Sequence, residues 1–200
     1  MNRQYMLTLP NVLTLLRLIL SPIFIPFLLV YLLPLNFFFL NVLLALIFIL
    51  FGLTDFFDGY FARKWNQVTH LGALLDPIAD KFLFCSTLIS LLAAGKLFFY
   101  WVIILLSREF FVMGIRLIAS ERGYYIKTLF IAKIKTVVEV FFIASVIINP
   151  STVTSSFFNK WNIIEYLLLN STLLLSLYSA YLYYVLCAAQ FHVKIGFNDQ

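Results

Sequence analysis

Residues 55–63 read Asp55-Phe56-Phe57-Asp58-Gly59-Tyr60-Phe61-Ala62-Arg63. After eight intervening residues the chain reads Gly72-Ala73-Leu74-Leu75-Asp76-Pro77-Ile78-Ala79-Asp80. This stretch places four carboxylates at helical spacing inside a chain that is 63% hydrophobic and only 12% charged, with a mean hydropathy of +0.99. A soluble domain of 200 residues could not hide so much apolar surface, whereas a polytopic membrane protein leaves it to lipid. An Asp at the bilayer centre costs roughly 2.5–3.5 kcal/mol on insertion scales, so four of them need compensation. Bound divalent metal is the economical form of it.

About six apolar stretches surround the motif, each long enough to cross a bilayer: Val12–Leu33, Leu35–Phe56, Leu74–Ala94, Phe98–Ile118, Leu129–Ile148 and Ile164–Gln190. The expected fold is an all-α integral membrane protein of about six transmembrane helices, with a polar cavity at the cytoplasmic side. No repeat or soluble segment divides the chain, so residues 1–200 form one membrane domain, with 1–11 as a possible interfacial segment. The first apolar run carries Arg17 and is followed by no small-residue cleavage site, which favours a retained helix over a signal peptide. Cys85 and Cys187 lie in apolar runs without metal-type spacing, and read as small hydrophobes.

Six spans put both termini on one side. That side holds Arg3, Arg63, Lys64, Arg122, Lys127 and Lys194, and the opposite loops hold only Lys96 and Lys160. The positive-inside rule places both termini and the Arg63–Gly72 loop in the cytoplasm, with the protein in the plasma or inner membrane. The net charge of +5 suits that topology and anionic lipid better than nucleic acid, which is not an expected partner.

Asp55, Asp58 and Ala62 fall at i, i+3 and i+7, and Gly72, Asp76 and Asp80 at i, i+4 and i+8, so each set shares a helix face. A short connection makes the two helices antiparallel neighbours, and four carboxylates can converge. Without metal they would repel or take up protons. Two divalent cations balance four negative charges, and all-oxygen ligands favour hard ions such as Mg²⁺, Mn²⁺ or Ca²⁺ over Zn²⁺. Gly59, Ala62 and Gly72 either serve close helix packing or let something bulky reach the backbone. Arg63 either snorkels to the membrane surface or meets a phosphate oxygen. Together these features point to phosphoryl-transfer chemistry.

The pattern D-x-x-D-G-x-x-A-R-x8-G-x3-D-x3-D resembles the signature of the CDP-alcohol phosphotransferases, and every signature position is filled. The resemblance implies two divalent metal ions, Mg²⁺ or Mn²⁺, on Asp55, Asp58, Asp76 and Asp80. It also implies Asp80 as the base on the acceptor hydroxyl, and Gly59, Ala62, Arg63 and Gly72 lining the cytidine-diphosphate pocket. It further suggests a homodimer.

The signature does not fix the acceptor alcohol. Pro10-Asn11-Val12-Leu13-Thr14-Leu15-Leu16-Arg17 resembles the P-N-x-L-T-x-x-R opening of the family's phosphatidylglycerophosphate synthases, which implies donor contacts from Asn11, Thr14 and Arg17. By its position alone Arg17 divides evenly between snorkelling and diphosphate contact. Ser107-Arg108-Glu109, then Gly114-Ile115-Arg116 through Glu121-Arg122-Gly123, then Ala132-Lys133-Ile134-Lys135-Thr136 are similar to the same branch. Ala132 stands in place of a glycine and Glu139 in place of a glutamine. Arg108 and Arg116, about two turns apart, read as sharing a face, whereas Lys133 and Lys135 do not. Some of these charges suit internal pairing of Arg108 or Lys135 with Glu109 or Glu139. The surplus of cations suits an anionic headgroup, and the resemblance implies that Arg108, Arg116, Lys133 and Lys135 hold the acceptor phosphate.

The expected reaction is therefore phosphatidyl transfer from CDP-diacylglycerol, a membrane lipid, to sn-glycerol 3-phosphate. Phosphatidylglycerol, as in a cardiolipin synthase of this family, or inositol phosphate would be the rival acceptor. A divalent-cation transporter is the rival of a different class, disfavoured because the acids cluster at one end and no half-repeat is visible.

Overall fold

The structure is a computed structural model. It describes residues 9–64, 70–122, 129–149 and 160–197, with side chains for 19–20, 22–52, 81–122, 129–149 and 163–189. Among the described residues six α-helices follow one another: α1 (Leu9–Leu32), α2 (Phe38–Lys64), α3 (His70–Ala93), α4 (Phe99–Glu121), α5 (Phe130–Ile148) and α6 (Lys160–Phe197). No strand occurs among the described residues.

The helices match the six apolar runs in number and order, but several ends differ from expectation. Helix α2 continues through Arg63 to Lys64, and α3 already contains Gly72, so both ends of the expected Arg63–Gly72 loop are helical; residues 65–69 lie outside the described residues. Hydropathy marks where an apolar run ends, and the polar residues after Phe61 include no breaker that would stop a helix. Helix α6 likewise extends beyond its apolar segment at both ends, from Lys160 to Phe197. Its segment Ile163–Ala189 is, among the described residues, the one helix long and apolar enough by composition to cross a membrane. Pro22–Leu35, Phe38–Gly52 and Lys81–Ala93 are shorter apolar helical stretches.

The chain divides into two compact units, Met1–Phe98 with Ile143–Ser156, and Phe99–Phe142 with Phe157–Gln200. In the first unit α1 packs against α3 and α2. The buried positions follow the helical period: Ile25 and Leu29 on α1, Asn41, Leu44, Ala45 and Phe48 on α2, and Leu83, Thr87, Leu88 and Leu91 on α3. The outward positions are equally apolar, with Phe27, Tyr31, Phe39 and Leu50 more than half exposed.

Helix α3 ends in a Schellman motif. Lys96 N–H donates to Leu91 C=O at 2.9 Å, Gly95 N–H donates to Leu92 C=O at 3.0 Å, and Gly95 takes φ 68°. The Lys96 ammonium is buried and donates to the Asn149 carbonyl at 2.6 Å, just beyond the last residue of α5. There it opposes the negative end of that helix. A methyl at Gly95 meets nothing within 4 Å, so only the left-handed backbone resists it. Gly95→Ala should cost about 1 kcal/mol, read as a fall of a few degrees in the unfolding midpoint of detergent-purified protein. An unchanged midpoint would mean that this turn is not held in the folded state.

In the second unit α4 packs against α6. Val112 and Ala119 of α4 meet Ala180, Tyr183 and Cys187 of α6, with Ile115, Leu129 and Ala132 alongside. Tyr183 is 2% exposed, and its hydroxyl accepts the Leu129 N–H at 3.1 Å, directly before α5.

Candidate active site

Asp55, Asp58, Gly59, Ala62 and Arg63 all lie within the continuous helix α2, and Gly72, Asp76 and Asp80 within α3. The backbone thus has the helical register on which the two carboxylate stripes depend. Asn11, Thr14 and Arg17 likewise lie within α1. The side chains of all these residues are outside the described set. Four aspartates offer hard, anionic oxygen donors, and that donor set fits Mg²⁺ or Mn²⁺.

The cationic residues of α4 and α5 are described in full. Arg108 Nη1 donates to Glu109 Oε1 at 2.6 Å. Lys135 Nζ donates to that same Glu109 oxygen, and to Glu139 Oε2 at 2.5 Å, one turn along α5. The four groups are 7%, 3%, 2% and 4% exposed for Arg108, Glu109, Lys135 and Glu139. They carry two positive and two negative charges, so this cluster of four sums to zero. This is the internal pairing that the sequence suggested for part of the set.

Arg116 and Lys133 are instead exposed. Arg108 and Arg116, expected on one face, are not equivalent. Eight residues at 3.6 per turn leave about 80° between them, enough to turn one inward and the other outward. Lys133 and Lys135 do separate as expected, Lys135 buried and Lys133 not.

Two partners of Arg108 were not singled out from the sequence. Its Nε donates to the Ser176 carbonyl at 3.0 Å, and its Nη2 donates to Ser179 Oγ. Both serines are buried on α6. The available signal was a polar ladder, Thr172, Ser176 and Ser179, at three- to four-residue spacing in an apolar helix.

Comparison with known proteins adds the chemistry. Residues 7–188 match the family model described as CDP-alcohol phosphatidyltransferase. A Bacillus subtilis protein is 36% identical over 154 residues, covering 72% of this chain and 78% of its own length. A Rickettsia felis protein is 37% identical over 145 residues, covering 70% and 75%. One from Salmonella typhimurium is 34% identical over 148 residues, covering 71% and 78%. All three bear the name "CDP-diacylglycerol--glycerol-3-phosphate 3-phosphatidyltransferase".

Proposed function

Because the chain belongs to the CDP-alcohol phosphatidyltransferase family, we propose that it transfers the phosphatidyl group of CDP-diacylglycerol to sn-glycerol 3-phosphate, giving phosphatidylglycerophosphate and CMP. The observation that carries this reading is the match to relatives of that name over about 70% of the chain. The chain acts as one catalytic membrane domain, as the extent of the family match supports.

Six spans with both termini in the cytoplasm are the topology we favour. The distribution of Lys and Arg supports it. So do the apolar outward faces of the described helices, among them Phe110 on α4, Phe141 on α5 and Leu174 on α6, each more than 60% exposed. The plasma or inner membrane is then the location. A homodimer is an expectation from the family resemblance.

In this reading Asp55, Asp58, Asp76 and Asp80 would hold two divalent ions, which supply neutralisation of the donor diphosphate and of the departing CMP. Asn11, Thr14, Arg17, Gly59, Ala62, Arg63 and Gly72 serve the CDP-diacylglycerol side. Arg108, Arg116, Lys133 and Lys135 serve the acceptor phosphate. Asp80 takes the proton of the primary hydroxyl of glycerol 3-phosphate as that oxygen attacks the β-phosphorus. The new P–O bond forms as the bond to CMP breaks. The burial of Arg108 and Lys135 in ion pairs gives these two a fixed geometry, whereas Arg116 and Lys133 are exposed, a placement suited to drawing in an anion.

The test is purified protein in mixed micelles with CDP-diacylglycerol and a panel of acceptors: glycerol 3-phosphate, phosphatidylglycerol, inositol phosphate and none. CMP release and the lipid product are read together. Glycerol 3-phosphate should be the acceptor consumed, and excess chelator should abolish release until Mg²⁺ or Mn²⁺ is restored. Cardiolipin as the product would overturn the acceptor, and full activity in chelator would overturn the metal reading.

A further inference from the structure

The way Arg108 is held singles out α6. The Ser176 carbonyl accepts from Arg108 Nε at 3.0 Å and from Ser179 Oγ at 3.0 Å, and Ser179 Oγ in turn accepts from Arg108 Nη2. Guanidinium nitrogen, carbonyl and hydroxyl close a small ring of hydrogen bonds. Ser176 is 1% and Ser179 0% exposed, so water does not compete for these positions. A guanidinium has five N–H groups. Nε gives its one to Ser176, Nη2 gives one to Ser179, and Nη1 gives one to Glu109. One N–H is left on each terminal nitrogen, the number that a two-pronged contact with a phosphate requires.

A serine inside an apolar helix commonly does no more than bond its own backbone. Ser179 does that through its proton, donating to Ser176. Its lone pair is nevertheless turned to the cation on another helix, 71 residues away in sequence. Glu109 alone would leave the guanidinium free to swing about one contact. The α6 ring removes that freedom.

We propose that Ser179 is a positioning residue: its hydroxyl, with the Ser176 carbonyl, fixes the plane of the Arg108 guanidinium so that its two remaining N–H groups are presented to the acceptor phosphate. This rests on Arg108 serving the acceptor phosphate, as in the function proposed above. The hydroxyl touches no substrate and acts through Arg108.

The experiment is steady-state kinetics of the full chain, titrating glycerol 3-phosphate and CDP-diacylglycerol separately. Ser179→Ala should raise the acceptor KM about tenfold, the scale of one charge-assisted hydrogen bond, and leave the donor KM unchanged. Ser179→Thr keeps the hydroxyl and should restore the wild-type value. Arg108→Ala, with Arg108→Lys as the variant that retains the charge, is run beside them. If the Arg108 variants raise the acceptor KM and Ser179→Ala does not, the positioning role is wrong and the role of Arg108 stands. If the folded Arg108 variants leave the acceptor KM unchanged, the role of Arg108 falls and takes this inference with it. If Ser179→Ala raises both KM values alike, or adds its full effect on top of Arg108→Lys, the serine acts through the fold and the proposal is overturned.

Discussion

Asp80→Asn is expected to abolish turnover while CDP-diacylglycerol still binds. The substitution keeps the size of the side chain and one carbonyl oxygen, and removes the capacity to accept a proton. Asp80 is the last carboxylate of the α3 stripe, one turn beyond Asp76 in a helix that runs unbroken from His70 to Ala93. A general base contributes about 10²- to 10⁴-fold to rate, so CMP release should fall by that much. Donor affinity, measured by equilibrium binding, should change far less than in Asp55→Ala, which removes a proposed ligand of the diphosphate-holding metals. Equal losses of donor affinity in the two variants would make Asp80 a metal ligand first and deprive the reaction of its assigned base.

The second large effect is on stability. Glu109 Oε1 is the shared acceptor of Arg108 and Lys135, and the three residues are nearly inaccessible to solvent. Glu109→Gln leaves this cluster of four with one positive charge in excess and turns an amide donor or a weaker acceptor toward two cations. Breaking a buried pair from one side costs about 3–5 kcal/mol, because the stranded ion keeps its desolvation penalty. Unfolding of the detergent-purified variant should show a loss of that size. Adding Lys135→Met restores neutrality and should recover much of it, since replacing a buried ionic group together with its partner is far milder than orphaning one. A Glu109→Gln protein as stable as wild type would show that these ions are hydrated in the folded state.

The order of the helices was legible in the sequence because each is an apolar run bounded by polar residues or by Gly95 and Pro34. Their ends were less so. The run past Phe61 loses hydropathy without losing helix-forming capacity, so α2 reaches Lys64 although its apolar segment stops earlier. The division of labour among the cations was half legible. Counting charges exposed the surplus, and spacing separated Lys133 from Lys135. Treating eight residues as two full turns hid the drift that parts Arg108 from Arg116. Ser176 and Ser179 were legible only as rungs of a polar ladder, because a serine that bonds only its own helix and one that also holds an arginine from another have the same letter and spacing. Only the fold of α4 against α6 tells them apart.

The buried ions have a consequence for how the chain is made. Arg108 and Glu109 are consecutive on α4, and Lys135 and Glu139 are one turn apart on α5, so each helix carries its own counter-ion. In the six-span topology proposed above, a helix meets the lipid during synthesis before its neighbours have arrived, and a lone ion would then face hydrocarbon at several kcal/mol. A pair already present on one helix lets those two residues enter as a neutral pair at the moment of translocation, and on α5 leaves only Lys133 unbalanced. The bridge from Glu109 to Lys135 forms later, when α4 and α5 meet, and exchanges partners without creating new charge. Biogenesis can thus proceed helix by helix, with the polar interior assembled from parts that were each tolerable to the membrane alone.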